Sequence, residues 1–147
     1  MKIAVLNGPN LNLLGSREPH IYGSDRLADI ELAVRERAGA RDTEIAWYQT
    51  NHEGEFVEQI QALHGHVDGA LINAAAFTHT SLAIRDTLLA VDIPFVEVHL
   101  SNIFAREENR RHSVLADLAI GVVAGFGKRS YLLGFDALAA YLDSRGS

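Results

Sequence analysis

The sequence contains no cysteine, only three prolines and one methionine, and no excess of positive charge. The lack of cysteine excludes disulfides and thiol chemistry. It also disfavours zinc, because histidines and carboxylates would have to supply every ligand. The formal net charge of -6 argues against a nucleic-acid or anionic-membrane partner, although local basic clusters could still bind a small anion. We therefore expect neither nucleic acid nor a membrane as a partner.

Long hydrophobic runs are also missing. No apolar stretch approaches the roughly 20 residues that span a membrane, and residues 1–10 lack the longer apolar core of a signal peptide. We expect a cytoplasmic protein with no membrane association. The chain has 147 residues, of which 48% are hydrophobic and 22% charged, and this composition fits one globular domain over residues 1–147.

Short apolar segments alternate with segments of helical spacing along the whole chain. The predicted strands are Ile3–Leu6, Glu44–Thr50, Gly69–Asn73, Pro94–Leu100 and Ala119–Val123. The predicted helices run from an N-cap at Ser24 to Gly39, from Phe56 to near Gly65, from Thr80 to Val91 and from Tyr131 to Leu142. This alternation predicts a flavodoxin-like α/β fold, a doubly wound five-stranded parallel sheet of order 2-1-3-4-5 between two helical layers.

Polar side chains follow several of these strands at the point where each strand ends. Asn7 to Asn10 follow the first strand, Asn73 and His79 follow the third, and His99 and Ser101 follow the fourth. Ligands of doubly wound sheets bind outside the carboxyl ends of the strands, near the switch point between strands one and three. The sequence therefore predicts a binding site at this edge of the sheet.

His99 is the best candidate for an acid or base. Alternation along the fourth strand places Glu97 and His99 on the same face, so the carboxylate could fix the tautomer of the imidazole. A buried structural histidine is the alternative. After it, Leu100, Ser101 and Asn102 begin a turn whose backbone amides could bind a carboxylate, unless that turn only caps a helix.

The loop over residues 7–23 is too long for a simple connection, which usually takes about two to six residues. It contains Arg17 and Tyr22. Tyrosine is a poor base at neutral pH because its ordinary pKa is about 10, but a nearby guanidinium would favour the phenolate. A surface excursion rich in turn residues is the alternative.

Several other patterns carry less weight. Arg106, Arg110 and Arg111 could bind an anionic substrate or form a solvated cluster. The GFGK of residues 125–128 is interpreted as a strand-to-helix turn, because the dinucleotide fingerprint is incomplete. The HGH of residues 64–66 is interpreted as a helix C-terminus, with a metal site as the alternative. No partner in the sequence singles out His20 or His112.

Three segments together resemble one known family, the type II 3-dehydroquinate dehydratases, over nearly the whole chain. They are NGPNLNLLGSREPHIYG (7–23), the THTS of residues 78–81 followed by IRD (84–86), and EVHLSNIFAREENRRHS (97–113). The resemblance implies a flavodoxin-like fold, no metal or cofactor, and a dodecamer built from trimers. It also implies a reversible dehydration of 3-dehydroquinate to 3-dehydroshikimate through an enolate.

The same resemblance implies catalytic roles for five residues. Tyr22 would remove the proton beside the ketone as tyrosinate, with Arg17 lowering its pKa and stabilising the transition state. Asn10 would position the water that hydrogen-bonds the enolate. His99 would protonate the departing hydroxyl, and Glu97 would orient His99. Because Arg17 and Tyr22 share a glycine-flanked loop, we expect it to close over the substrate.

The substrate-binding residues that the resemblance implies lie elsewhere in the chain. Asn73, His79 and Arg110 would hold the hydroxyls and carboxylate, and Leu100 and Ser101 would supply backbone amides. Asp86 would reach the site of a neighbouring subunit. Residues 74–77, AAAF, depart from the commoner family pattern of proline or glycine and a tyrosine. Small residues still allow close backbone approach there.

Alternatives to this function remain at the level of the sequence. A flavodoxin-like binding or signalling module would want a Ser/Thr-rich phosphate loop after the first strand, or an acidic residue at the end of the third. This chain has NGPNLNLLG and Asn73 at those places. Another cofactor-free proton-transfer lyase is a second enzymatic alternative. The same dehydration could also serve quinate breakdown instead of aromatic biosynthesis.

Overall fold

The computed structural model describes residues 1–16, 20 and 24–146, and within them five parallel strands form one sheet. The strand order is β2-β1-β3-β4-β5. The strands are β1 (Lys2–Asn7), β2 (Glu44–Gln49), β3 (Gly69–Asn73), β4 (Phe95–His99) and β5 (Gly121–Ala124). The predicted flavodoxin-like order is therefore confirmed.

The α-helices of these described residues cover both faces of the sheet. They are α1 (Leu27–Gly39), α2 (Glu53–Leu63), α3 (Leu82–Val91) and α4 (Lys128–Gly146). Helices α1 and α4 pack on one face, and α2 and α3 on the other, so that two apolar layers enclose the sheet. None of the described helices has the length and apolar content needed to cross a bilayer.

The strand sequences explain why both faces are covered. Along β1, Ile3 and Val5 point into the layer of α1 and α4, whereas Ala4 and Leu6 point into the layer of α2 and α3. A strand buried on both faces is apolar at consecutive positions. Helix α4 approaches the sheet closely because residue 134 is glycine, since a Cβ there would lie 2.8 Å from Val98 Cγ2.

Some predicted boundaries are wrong by a few residues. Helix α1 begins at Leu27 rather than after Ser24, because the Arg26 amide donates to Asp29 Oδ2 at 2.9 Å and so starts the helix later. Strand β5 begins at Gly121, not Ala119, because the Ala119 amide donates to the carbonyl of Ala116 in a turn. Helix α4 begins before and ends after the predicted range of 131–142.

Helix α3 forms where helical spacing predicts it, with a start two residues later. Ser81 caps it, accepting from the Ile84 amide at 3.0 Å, so the helix starts two residues after Thr80. The prediction of this helix rests on four apolar positions, Leu82, Ile84, Leu88 and Leu89. Ile84 and Leu88 lie in the core, whereas Leu82 and Leu89 are 62% and 54% exposed. The spacing was helical, but only part of it faces the sheet.

Candidate active site

A cleft opens at the carboxyl ends of β1, β3 and β4, where the sequence predicts a site. Seven predicted residues line it, namely Asn10, Asn73, His79, His99, Leu100, Ser101 and Arg110. Glu97 lies behind His99 and is fully buried. Asp86 lies on the exposed surface of α3 and is not part of this lining. Arg17 and Tyr22 fall outside the described residues, so their predicted roles stay predictions.

Glu97 and His99 form the buried acid–base pair that strand alternation predicted. His99 Nε2 lies 2.5 Å from Glu97 Oε2, and His99 is 5% exposed. Because Nε2 faces the carboxylate, Nδ1 is the imidazole nitrogen left for a ligand. The other carboxylate oxygen, Glu97 Oε1, accepts from Ser113 Oγ at 2.8 Å. A buried carboxylate is costly unless it is hydrogen-bonded, and both oxygens have partners here.

Asn7 and Asn73 share a buried tyrosine beneath the cleft. Asn73 Nδ2 donates to the Tyr131 hydroxyl at 2.9 Å, and that hydroxyl donates to Asn7 Oδ1 at 2.7 Å. Burial raises the pKa of Tyr131 well above its ordinary value, so the phenol remains a donor. The ring also stacks on Trp47 at a centroid distance of 6.0 Å. We call Asn7, Asn73, Glu97 and His99 the floor of the cleft.

Asn10 is held in an unusual conformation at the mouth of the cleft. Its φ is 69°, in the left-handed region that asparagine tolerates better than most residues. The Asn10 amide donates to Asn51 Oδ1 at 3.0 Å, and Gln49 Nε2 donates to the same oxygen at 3.1 Å. The turn after β2 therefore fixes the Asn10 backbone.

Residue 8 must be glycine because the ends of β1 and β3 meet at this position. The Gly8 amide donates to the Asn73 carbonyl at 2.8 Å. A Cβ on Gly8 would lie 2.4 Å from the carbonyl oxygen of Ala74, which is far too short for two nonbonded atoms. Glycine thus allows the ends of β1 and β3 to meet directly beneath the cleft.

His79 and His112 pair reciprocally at one side of the cleft. His79 Nδ1 lies 2.7 Å from the His112 carbonyl oxygen, and His112 Nε2 lies 3.0 Å from the His79 carbonyl oxygen. Each ring nitrogen must donate to its carbonyl, which leaves His79 Nε2 as an acceptor in the neutral ring. Desolvation lowers the pKa of His79, which favours that neutral form. His112, for which the sequence offered no partner, thus contacts a predicted site residue.

Residues 106–112 form the outer edge of the cleft, and we call them the rim. Arg110 Nε pairs with Glu107 Oε1 at 2.7 Å, with side chains 39% and 60% exposed. A backbone hydrogen bond lowers the pKa of Glu107, and the charges of Arg110 and Arg106 act in the same direction. Arg106 also lines the cleft. The rim therefore places two positively charged side chains, Arg106 and Arg110, in the lining of the cleft.

Residues 74–77 form the wall where the sequence departs from the family pattern. Ala75–His79 is a 3-10 turn, and Ala75 has a φ of 52° although it is not glycine. Its amide donates to Asn73 Oδ1 at 3.1 Å, which holds it there. Phe77 packs edge-on against Phe56 with ring centroids 6.4 Å apart. The small side chains of Ala75 and Ala76 face the cleft.

Two minor predictions are confirmed by the geometry. Gly125 and Gly127 have φ of 100° and 60°, and the Phe126 amide donates to Ser130 Oγ at 3.0 Å, so GFGK is a turn into α4. His64 caps the C-terminal end of α2. Asn102 Oδ1 accepts from the Phe104 amide at 3.1 Å and so caps the next 3-10 turn, and carboxylate binding by the Leu100 and Ser101 amides stays a prediction.

Comparison with known proteins decides the family. The family model described as dehydroquinase class II matches residues 1–139. This chain belongs to the class II dehydroquinase family. It is 57% identical over 142 residues to a 3-dehydroquinate dehydratase of Synechococcus sp. (strain WH7803), with 97% of each chain covered. It is 51% identical over 143 residues to a catabolic 3-dehydroquinase of Aspergillus oryzae (strain ATCC 42149 / RIB 40), covering 97% of this chain and 94% of that one.

Solved structures agree with this assignment to the class II dehydroquinases. The crystal structure of a type II dehydroquinase from Butyrivibrio crossotus DSM 2876 superposes with a TM-score of 0.92 at 42% identity, covering 95% of this chain and 97% of that one. A type II dehydroquinase from Propionibacterium acnes gives a TM-score of 0.90 at 39% identity, with 95% and 96% covered. The family fold thus extends over nearly all of this chain.

Sequence reasoning missed three residues that support the site of this class II dehydroquinase. They are Ser113, Tyr131 and His112. Ser113 contacts Glu97, 16 residues away in the sequence. Tyr131 contacts Asn73, 58 residues away, and His112 contacts His79, 33 residues away. The one signal available was that Ser113 and His112 end the segment 97–113 on which the resemblance rests.

Proposed function

We propose that this chain is a 3-dehydroquinate dehydratase, which reversibly dehydrates 3-dehydroquinate to 3-dehydroshikimate through an enolate, without metal or cofactor. Family membership over residues 1–139 supports the reaction. The structural observation that carries it is the Glu97–His99 pair, buried at the end of β4 and open to the cleft through His99. We further propose that one domain, residues 1–147, carries the whole activity.

His99 acts on the hydroxyl that leaves. Its Nε2 is engaged by Glu97, so a protonated His99 presents Nδ1–H toward the cleft. That proton passes to the departing hydroxyl, and water leaves. Glu97, an acceptor at both oxygens, balances the positive charge on the imidazolium before transfer.

The first step uses residues other than His99 and Glu97. Tyr22 as tyrosinate removes the proton beside the ketone, and Arg17 favours the phenolate and stabilises the transition state. Asn10, with its backbone fixed by Asn51, positions the water that hydrogen-bonds the enolate.

The remaining predicted residues hold the substrate. Arg110 exchanges its exposed partner Glu107 for the substrate carboxylate, and the amides of Leu100 and Ser101 bind the same end. Neutral His79 accepts from a substrate hydroxyl through Nε2, and Asn73 donates its second N–H to another. Asp86 is exposed on α3, which suits contact with the site of a neighbouring subunit.

The first experiment is an ultraviolet assay of purified protein with 3-dehydroquinate, in the presence of a metal chelator. We expect the absorbance of the conjugated enone product to appear. No product at substrate concentrations that saturate the site would contradict the proposed reaction. In the same assay, Tyr22→Phe should lose turnover by orders of magnitude while still binding substrate, because the phenol oxygen is the base.

We propose further that the enzyme is cytoplasmic and assembles into a dodecamer of trimers. The resemblance supports this assembly, and large apolar residues at the surface, such as Leu82, Leu89 and Phe104, suit contacts between subunits. Sedimentation should give a species of twelve chains. A stable active monomer would contradict both the assembly and the role of Asp86. Cell fractionation tests the location.

A second physiological role has its own support. Relatives of this chain include both a 3-dehydroquinate dehydratase and a catabolic 3-dehydroquinase. The same chemistry therefore fits quinate breakdown. Expression that rises with quinate in the medium would favour the catabolic role, and constant expression the biosynthetic one.

A further inference from the structure

Ser113 lies beside the Glu97–His99 pair and is hydrogen-bonded to Glu97. Its hydroxyl donates to Glu97 Oε1 at 2.8 Å, on the side of the carboxylate opposite His99. Glu97 is fully buried, and strand alternation places it on the same face of β4 as the core residue Phe95. Among the described residues, the hydrogen bonds to the Glu97 side chain come from His99 and Ser113. Ser113 thus supplies one of the two hydrogen bonds that the described residues make to this carboxylate.

The direction of the Ser113 proton is fixed by its other contacts. Ser113 Oγ accepts from the Leu115 amide at 3.0 Å and from the Ala116 amide at 3.1 Å. A serine hydroxyl has one proton and two lone pairs. With two amides donating to the oxygen, its proton is directed to Glu97 Oε1. That proton therefore occupies one of the two lone pairs of Glu97 Oε1.

The segment that carries Ser113 is anchored on both sides. The Val114 amide donates to the Thr78 carbonyl at 2.9 Å. Arg85 donates to the Val114 carbonyl at 2.8 Å and forms two hydrogen bonds to the Asp117 carboxylate, at 2.6 and 3.0 Å. The Ser113 hydroxyl is thereby held against β4 by contacts to α3 and to the turn after β3.

From this geometry we infer that Ser113 is a positioning residue for the dehydration. Its hydroxyl keeps Glu97 hydrogen-bonded at both carboxylate oxygens and so fixes the tautomer and orientation of His99. The inference rests on the proposed function. With Oε1 occupied, the proton shared between Glu97 and His99 stays on Nε2, and Nδ1 faces the cleft. Without the Ser113 hydroxyl, the carboxylate would be free to rotate about its last bond or to bind a proton on Oε1.

The chain contains a matched control for this contact. Thr50 Oγ1 accepts from the His52 amide at 3.1 Å and donates to Glu55 Oε2 at 2.6 Å. This is the same local pattern as at Ser113, a hydroxyl that accepts from an amide two residues ahead and donates to a glutamate. Its glutamate lies on α2 and does not contact His99. Thr50→Val therefore removes an equivalent hydroxyl away from the acid.

The experiment compares Ser113→Ala, Ser113→Thr and Thr50→Val in the enone assay, after wild-type turnover has been established. Loss of a hydrogen bond to a buried charged group should lower kcat of Ser113→Ala by about 10- to 100-fold, with KM unchanged within about twofold. Ser113→Thr keeps the hydroxyl, and because Ser113 is only half-buried its extra methyl can be accommodated, so kcat should recover. Thr50→Val should retain wild-type kcat.

A second measurement does not depend on turnover. In proton NMR the His99 Nε2–H, hydrogen-bonded to Glu97, should give a downfield resonance, assigned by its loss in His99→Gln. Ser113→Ala should shift or broaden this resonance, and Thr50→Val should not. If Ser113→Ala does not fold, Ser113→Cys replaces it, since a thiol is a weak donor.

The outcomes separate the two proposals. Wild-type protein that forms no enone overturns the function, whereas the NMR comparison still tests the contact. Active wild-type protein with a Ser113→Ala variant that loses only thermal stability, and keeps kcat and the His99 resonance, overturns the inference. In that case Ser113 only caps its turn.

Discussion

The floor and the rim of the cleft use similar polar side chains in opposite surroundings. In the floor, Asn73, Glu97 and His99 are 3%, 0% and 5% exposed, and each is hydrogen-bonded within the fold. In the rim, the Arg110–Glu107 pair lies in solvent. In a site that excludes water, fixed dipoles and charges stabilise a developing charge strongly, because no solvent has to reorganise. We therefore expect the proposed acid step at His99 to depend on the floor.

The rim suits a different task. An exposed ion pair contributes little, about 0 to 1 kcal/mol, so Arg110 can leave Glu107 for a substrate carboxylate at small cost. The difference between the two regions predicts that floor substitutions lower kcat or stability, whereas rim substitutions raise KM. Substitutions at His99 in the floor, at Tyr131, which joins two floor residues, and at Arg110 in the rim test this difference. A fourth, at His79, which pairs with the rim residue His112, tests the pH dependence of stability, and the four follow from the largest expected effect to the smallest.

Removing the acid should have the largest effect. His99→Gln is expected to lower kcat by about 100- to 10,000-fold with little change in KM, because proton transfer to the leaving hydroxyl is lost. Steady-state kinetics in the enone assay measures it. His66→Gln, at an exposed histidine beyond the end of α2, is the control. A His99→Gln variant with near-normal kcat would remove His99 as the acid.

Removing the buried phenol should mainly affect stability. Tyr131→Phe leaves Asn7 Oδ1 and Asn73 Nδ2 without their shared partner, which should cost about 1–3 kcal/mol in the free energy of unfolding. Denaturant titration measures this. Tyr141→Phe, whose hydroxyl accepts from surface Arg145, should cost under about 0.5 kcal/mol. Equal stability of the two variants would mean that the floor does not depend on this network.

A substitution in the rim should weaken substrate binding. Arg110→Gln is expected to raise KM about 10-fold or more with a smaller change in kcat, since a charge-assisted contact to the substrate carboxylate is lost. Raising the ionic strength should weaken binding by wild-type protein more than by this variant. Arg145→Gln, at the end of α4, serves as the control. A fall in kcat alone would place Arg110 in the chemistry instead.

The smallest expected effect concerns pH. Desolvation lowers the pKa of folded His79 below the ordinary 6.5. Above pH 6.5 the histidine is neutral in both states and stability is unaffected. As the pH falls below 6.5 the unfolded chain binds the proton first, so the free energy of unfolding decreases until the folded pKa is passed. His79→Asn should make this decrease shallower, measured by denaturant titration from pH 7 to 5. An identical slope would contradict it, with exposed His66→Asn as the control.

The sequence predicted those parts of the site that depend on local geometry. Alternation along one strand was enough to pair Glu97 with His99, and strand ends were enough to bring Asn10, Asn73 and His79 together. It could not predict Ser113 or Tyr131 as their partners. Those contacts depend on how a turn and a helix fold back over the sheet, which no local periodicity encodes.

The same limit explains the wrong boundaries. Helical spacing predicted α3 from four apolar positions, but it could not show that Ile84 and Leu88 would be buried while Leu82 and Leu89 would be exposed. Ser24 was a good capping residue by type, yet Asp29 determined the start of α1 through the Arg26 amide. At the start of α1, a hydrogen bond thus outweighed the capping preference of a single residue.

Tyr131 has a consequence for how the protein is made. The floor residues that it joins are at positions 7 and 73, so the ribosome synthesises both long before the side chain that connects them. A nascent chain that ends before α4 leaves two asparagine side chains without their shared partner and one face of the sheet without its last helix. Binding of substrate during synthesis must therefore wait until the last helix has emerged and packed.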